Sequence, residues 1–243
     1  MSLKEALRNI VYGHKASSGR YIQHLRRLGV RVGENVSIYT PTKTTVDETY
    51  PWLLTIGNNV KIAQGAIILC HDYAWSVLKG VSGGIFGASG RVTIGDNVFI
   101  GMNAIITRNV TIGNNVVIGA GSVVTKDCED NGVYAGNPAR RIAELDDFLE
   151  KRRGAQLGEA KDLAQAYYQR FGQVPPEEVF HEYFMIFESE KSAQKKQWCA
   201  DKLRLGGTYE KSVLYMQENS PIFENYEEFI RFAQEGRNEE EIL

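Results

Sequence analysis

The sequence predicts a parallel β-helix with helices at both ends, and three regularities point to it. Aliphatic residues recur every six positions, from Ile94 through Ile100, Ile106, Ile112 and Ile118 to Val124. Four residues after each stands a second small or branched residue, Val98, Ala104, Val110, Val116, Ser122 and Cys128, so the inward candidates alternate in steps of four and two. Even steps keep side chains on one face of an extended chain, whereas a step of six turns a helical side chain by about 240° and scatters the set. The tetrad Gly-x-Asn-Val then recurs eighteen residues apart, at Gly95 and Gly113, so three six-residue units make one coil of a triangular prism.

The corner carrying this tetrad is expected to use Gly and Asn because both enter left-handed backbone conformations readily. The same tetrad at Gly57 and Gly33 carries the solenoid towards the N-terminus. From Gly57 to Gly95 is thirty-eight residues, one coil plus twenty, and the frame Ile56, Ile62, Ile68 places the excess at about 72–91, immediately after His71. Its glycines, in GVSGGIFGASG, predict a mobile loop, and so long an insertion in a regular solenoid points to function. Residues 1–29 are expected to form an N-terminal helical cap, 30–143 the β-helix and 144–243 a helical C-terminal extension, the repeat making the fold mainly β. Helical spacing over 3–14 and 18–29, with Ser17 and Ser18 available as caps, suits a cover for the open end of the solenoid. In the extension, Pro175 and Pro176 predict a helix start, followed by a packing stripe of Val179, Phe180, Tyr183, Phe184 and Phe187. Gly206-Gly207 and Ser220-Pro221 read as breaks between helices.

With 243 residues, 43% of them hydrophobic, the chain can bury a substantial core. Its 28 Lys and Arg nearly balance 30 Asp and Glu, which argues against a nucleic-acid partner. Cys70, Cys128 and Cys199 show no metal or disulfide spacing and read as small buried hydrophobes of a cytoplasmic protein. Charges interrupt every apolar stretch of the N-terminal segment, arguing against a signal peptide, and no run is long enough for an integral membrane segment. Lys4, Arg8, Arg20, Arg26 and Arg27 leave open a membrane-surface role for the N-terminal helices.

Together with the repeat, CHDY at residues 70–73 and the ending GAGSVVTKDCEDNGVYAGNPARRI make residues 30–143 resemble the hexapeptide-repeat O-acetyltransferases, a group that includes galactoside, maltose and serine acetyltransferases. The stretch DETYPWLLTIGNNVKIAQGAIILCHDYAW is similar to transferases that acetylate capsular or lipopolysaccharide sugars. The resemblance implies a left-handed β-helix assembled as a homotrimer, with the active site in a groove between subunits. It also implies acetyl-CoA as co-substrate, no metal, and direct transfer to a hydroxyl of a sugar or polysaccharide precursor. Positions matching Met102, Ala120, Thr125, Lys126 and Arg140 contact acetyl-CoA in similar enzymes. The resemblance puts the basic residues Lys126, Arg140 and Arg141 near the phosphates of acetyl-CoA, with solvated surface charge an equal reading. Galactoside-type enzymes place a serine where this chain has Met102, so a hydroxyl contact is lost and the Met102 backbone N–H is left as an oxyanion donor.

The chemistry needs a base, because a sugar hydroxyl is a poor nucleophile until its proton is removed. An imidazole both accepts and returns a proton near neutral pH. His71 is the one histidine within the repeat, and it stands where the insertion leaves the coil. His14, His24 and His181 lack such a setting and read as surface or packing residues. Residues eighteen apart stack at about 4.8 Å along the axis, so Met102 and Ala120 form a column along which a pantetheine arm could run, meeting backbone groups left accessible by Gly101 and Gly119. Asp47, Glu48, Tyr50, Tyr73 and Trp75 are candidate acceptor-binding residues, with packing an equal explanation for Trp75. The competing readings are an acyltransferase acting on an amino acid or antibiotic, a non-catalytic β-helix scaffold, and a zinc-dependent β-helical enzyme, which would need more than one solenoid histidine.

Overall fold

The computed structural model describes residues 3–235, and the chain divides into two compact units, residues 1–148 and 149–243. Among the described residues of the first unit, the solenoid has three faces, each a sheet that takes one short strand from each coil. The first face stacks Arg31–Val32, Leu54–Ile56, Val92–Ile94 and Val110–Ile112; the third stacks Thr45–Val46, Ile67–Ile68, Ile105–Ile106 and Val123–Val124. The second face stacks Ser37–Ile38, Lys61–Ile62, Val98–Ile100, Val116–Ile118 and Gly132–Ala135, closed by an antiparallel return, Arg140–Glu144. The fold is the left-handed parallel β-helix implied by the resemblance.

The register is the one the spacing requires. Ile56 lies beside Ile94 and Ile94 beside Ile112; Ile62, Ile100 and Ile118 align on the second face, and Ile68, Ile106 and Val124 on the third. All nine are at most 1% exposed and form one continuous core with Val98, Ala104, Val110 and Val116. Each fully buried aliphatic side chain contributes about 1.5–3 kcal/mol by leaving water.

One detail of the corner differs from expectation. Asn35, Asn59, Asn97 and Asn115 take the left-handed conformation, with φ of 54 to 56°, while the tetrad glycines do not. Glycine is required there by close approach instead: a Cβ on Gly57 would lie 2.6 Å from the Gly95 carbonyl oxygen of the next coil. The asparagines also bond along the stack, Asn97 Nδ2 donating to Asn115 Oδ1 at 2.8 Å and Asn115 Nδ2 to Asn131 Oδ1 at 2.9 Å.

Before the first coil run α1 (Leu3–Tyr12) and α2 (Ser18–Leu28). Ser17 caps α2 by accepting from the Arg20 amide, and Gly29, at φ 111°, ends it. Tyr21, Ile22 and Leu25 of α2 are buried in the solenoid core. The insertion is a built excursion rather than an open loop. His71–Asp72 pairs antiparallel with Ala88–Ser89, α3 (Trp75–Ser82) lies between them, and the Gly90 amide rejoins the coil at the Cys70 carbonyl, 2.8 Å away.

In the second unit, α4 (Leu145–Phe171), which starts in the last residues of the first, supplies Leu157, Ala160 and Ala164 to a core shared with Phe180, Phe187 and Phe229. Helices α5 (Glu190–Lys195), α6 (Gln197–Arg204), α7 (Tyr209–Glu218) and α8 (Tyr226–Glu235) follow, with breaks at Gly206-Gly207 and Ser220-Pro221. The stripe after Pro176 packs inward, but as two short 3₁₀ turns, Glu177–Phe180 and Phe184–Ile186, rather than one α-helix. Its clustered aromatic and branched residues favour the α-helix weakly. Among the described residues, helices hold more residues than strands, because each solenoid strand is so short. No described helix is long and apolar enough to cross a membrane.

Ile100→Ala is expected to lower the stability of the β-helix by about 2–5 kcal/mol, and the outward-facing Ile105→Ala by much less, in denaturant titrations. Gly57→Ala should also destabilise, although it removes no apolar surface.

Candidate functional site

Asp47 and His71 meet where two adjacent coils leave the third face. The Asp47 amide continues the ladder by donating to the Ile68 carbonyl at 2.9 Å, which sets its side chain under the start of the excursion. Asp47 is 5% exposed and its carboxylate is fully engaged. Oδ1 accepts from the Thr49 amide at 2.9 Å; Oδ2 accepts from the Cys70 amide at 2.7 Å and lies 2.5 Å from His71 Nδ1. Burial pushes the Asp47 carboxyl upward, but the His71 hydrogen bond and the two amides outweigh it and hold the group below the ordinary carboxylate value. An ionised carboxylate can only accept, so Nδ1–H donates the hydrogen bond to Asp47 Oδ2. The free lone pair of His71 is therefore on Nε2.

Asp47 thus orients His71 and cannot hold an acceptor, which corrects the role expected from sequence. Glu48, next in the chain, is likewise committed elsewhere: it accepts from the Tyr21 hydroxyl at 3.1 Å and pairs with His24 Nε2 at 3.2 Å. Tyr50 and Tyr73 flank His71, each with its ring edge-on to the imidazole at centroid distances of 5.4 and 5.2 Å. Trp52 adjoins Tyr50 and Trp75 adjoins Tyr73, so an aromatic row passes across His71. Trp52 was not singled out from sequence; the signal was its place in Tyr-Pro-Trp, two residues from Tyr50, in a coil lengthened at this corner.

An open pocket of about 410 Å³ lies at His71, lined by Asp72, Thr107, Arg108, Asn109 and Thr125. Arg108 is the residue that periodicity gave no reason to pick, since it occupies an ordinary corner position. Its Nε donates to Asp72 Oδ2 at 2.7 Å, and this bond holds the Asp72 carboxyl below its ordinary value.

The expected cofactor positions fall into distinct groups. Met102 and Ala120 stack on successive coils at the corner between the second and third faces, both exposed, whereas His71 and Thr125 lie at the corner between the third and first. One protomer does not bring the two groups together. Gly101 and Gly119 do not offer free amides, because they donate to the Ile118 and Tyr134 carbonyls at 2.8 Å. A Cβ on Gly101 would lie 2.5 Å from the Ala120 nitrogen, so Gly101 serves coil stacking. Lys126 and Arg140 are exposed. Arg141 is not available to a phosphate: its guanidinium pairs with Glu129 and Glu144 and donates to the Asp130 and Asn131 carbonyls, closing the last coil.

Among the described residues, His14, His24 and Glu48 form the one grouping with metal-ligand spacing, and His71 is not part of it. The His14 and His24 rings stack at 3.8 Å with 13° between their planes. Nearly parallel rings share no nearby in-plane point where an ion could meet both lone pairs. Cys70, Cys128 and Cys199 are all buried, and burial pushes the Cys70 and Cys128 thiols up to about 11.

Residues 91–126 match the family described as bacterial transferase hexapeptide (six repeats). The chain is 42% identical to Protein CapG of Staphylococcus aureus over 127 residues, 52% of this chain and 73% of that protein. Solved structures with a similar chain path include a galactoside acetyltransferase in complex with coenzyme A, 30% identical over 60% of this chain and 80% of that one, TM-score 0.44. Another is a maltose O-acetyltransferase from Clostridium difficile 630, 29% identical over 58% of this chain and 83% of that one, TM-score 0.41.

Because Asp47 has a lowered pKa in the folded state, its ionised form stabilises the fold above its ordinary value of 3.8, and that contribution is lost as pH falls through the folded value. The stability gap between the wild type and Asp47→Asn should therefore be full at neutral pH and shrink in acid below about pH 4. Denaturant midpoints across pH 3–7 measure it; a pH-independent gap would remove the linkage.

Proposed function

The chain belongs to the bacterial hexapeptide-repeat transferases, and from its site we propose that it moves an acetyl group from acetyl-CoA to a hydroxyl of a sugar or polysaccharide precursor, with His71 as general base. The observation that carries this reading is the Asp47–His71 pair, in which a buried carboxylate fixes one imidazole tautomer at the edge of an open pocket. His71 Nε2 takes the proton of the acceptor hydroxyl as its oxygen attacks the thioester carbonyl carbon. When the carbon–sulfur bond breaks, the same nitrogen returns that proton to the departing thiolate, leaving an acetyl ester and free CoA. General-base assistance of this kind contributes about 10²–10⁴-fold. Tyr50, Tyr73 and Trp75 offer the flat faces on which sugar rings commonly rest. A scaffold gains little from such an arrangement, because burying an ionised carboxylate costs several kcal/mol unless its hydrogen bonds repay it.

The site is proposed to be shared between copies of the chain in a homotrimer. The Met102–Ala120 column and His71 with Thr125 occupy different corners of one prism, and a closed ring of identical chains sets one corner of each copy against the other corner of its neighbour. In that arrangement the pantetheine arm lies along Met102 and Ala120 of one subunit while His71 of the next faces its thioester. Lys126 and Arg140 are the basic groups proposed to meet the phosphates.

Thiol release from acetyl-CoA, measured against a panel of sugar acceptors, tests the reading. His71→Ala should lower kcat by about 10²–10⁴-fold with acetyl-CoA binding retained. Asp47→Asn should also lower it, by up to about 10⁴-fold, because an amide no longer fixes the tautomer. Mixing inactive His71→Ala with an inactive variant blocked at Met102 should restore part of the activity through hybrid trimers; no recovery in co-assembled protein would contradict a shared site.

A further inference from the structure

The acyl-transfer reaction creates a negative charge that the Asp47–His71 pair does not address. As the acceptor oxygen bonds to the thioester carbon, the carbonyl oxygen takes up an electron pair, and it holds that charge until the carbon–sulfur bond breaks. A preorganised donor at this oxygen is the largest single contribution in many acyl transfers, and removing one costs about 10²–10³ in kcat. Met102 brings no hydroxyl to the reaction.

Beyond the neutral Met102 backbone N–H expected from the sequence, Arg108 can bring a charged donor to this oxygen. It sits one coil beyond His71 at the same corner, on the side of Thr125, and lines the same pocket. Its side chain is 36% exposed, and it carries the only full positive charge among the described residues lining that pocket. Asp72 holds it by Nε at 2.7 Å, and Asp72 is itself fixed by accepting from the Ala74 amide at 3.0 Å. This anchoring leaves both Nη groups without a protein partner among the described residues. Of the other pocket donors, the Thr107 hydroxyl is already committed to the Val124 carbonyl at 3.1 Å. A guanidinium anchored by Nε presents its Nη donors in a fixed plane, as recognition of an anionic oxygen requires.

Resting on the acetyl-transfer reading, we propose that Arg108 is a catalytic residue whose Nη groups stabilise the charge on the thioester carbonyl oxygen during attack. Asp72 is then a positioning residue, acting through Arg108. The alternative role for Arg108 is to pin the base of the 71–90 excursion through the same ion pair. A partly exposed pair of this kind contributes too little to stability to produce a large kinetic effect.

The two roles separate in thiol-release kinetics on the full-length protein with acetyl-CoA and whichever panel sugar the wild type acetylates, or with water as acceptor if none is found. Arg108→Ala should lower kcat by about 10²–10³-fold while both KM values stay within a few-fold. Arg108→Lys should regain part of the loss, and added methylguanidinium should partly rescue Arg108→Ala. Asp72→Asn, which keeps the guanidinium but weakens its anchor, should lose far less. Equal losses for Asp72→Asn and Arg108→Ala, or a loss confined to the KM for acetyl-CoA, would overturn the proposal. If His71→Ala is inactive while Arg108→Ala retains full turnover, the base stands and the oxyanion role falls. If His71→Ala also retains turnover, the acetyl-transfer reading of the site is itself at fault.

Discussion

Everything in the first unit depends on the stacking of one coil on the next in a fixed register. A six-residue strand unit has too little apolar surface to persist alone, and only a neighbouring copy of itself completes its hydrogen bonds and covers its aliphatic side chains. The Ile62, Ile100, Ile118 column and its two counterparts are where this is satisfied. A shift of one residue would turn every one of these side chains outward. That rigidity is what lets two side chains from different coils, Asp47 and His71, be held at hydrogen-bonding distance.

The solenoid departs most from its own rule at one corner. There the first coil is lengthened through Asp47–Leu53, with a 3₁₀ turn at Pro51–Leu53, and the second coil sends out the excursion from His71 to Gly90. Both departures leave the third face in adjacent coils, so their side chains converge beside a stretch that remains regular at Thr107 and Thr125. The regular coils supply fixed positions, and the irregular ones supply the imidazole, its carboxylate and the aromatic row. The candidate site lies where the periodicity breaks, because a residue locked into the inward-outward alternation is either buried in the core or set in a flat sheet.

This contrast explains what could be read in advance. The repeat and its eighteen-residue coil, the excess after His71 and the breaks in the C-terminal unit were legible, because each is a matter of spacing along the chain. Asp47 was noticed for its type but assigned to the acceptor; its partner lies twenty-four residues away on another coil, and only the register of Val46 with Ile68 puts it under the imidazole. Gly101 and Gly119 were read as openings in the backbone, whereas their amides complete the ladder and the missing Cβ of Gly101 relieves contact with Ala120. Arg141 resembled a phosphate ligand by position but is consumed by four oxygens at the end of the last coil. Arg108 had no sequence signal, since a corner arginine looks like any solvated charge until Asp72 and the pocket are placed beside it.

The central claim is that a buried carboxylate fixes His71 with its proton on Nδ1 and its lone pair on Nε2. Nitrogen-15 NMR of protein labelled in the histidine rings reads this directly in the long-range couplings of the imidazole. The account requires the neutral form of the His71 ring to be the Nδ1–H tautomer, with a strongly deshielded Nδ1 proton that disappears in Asp47→Asn. A His71 signal in the Nε2–H form, indifferent to Asp47, would contradict it.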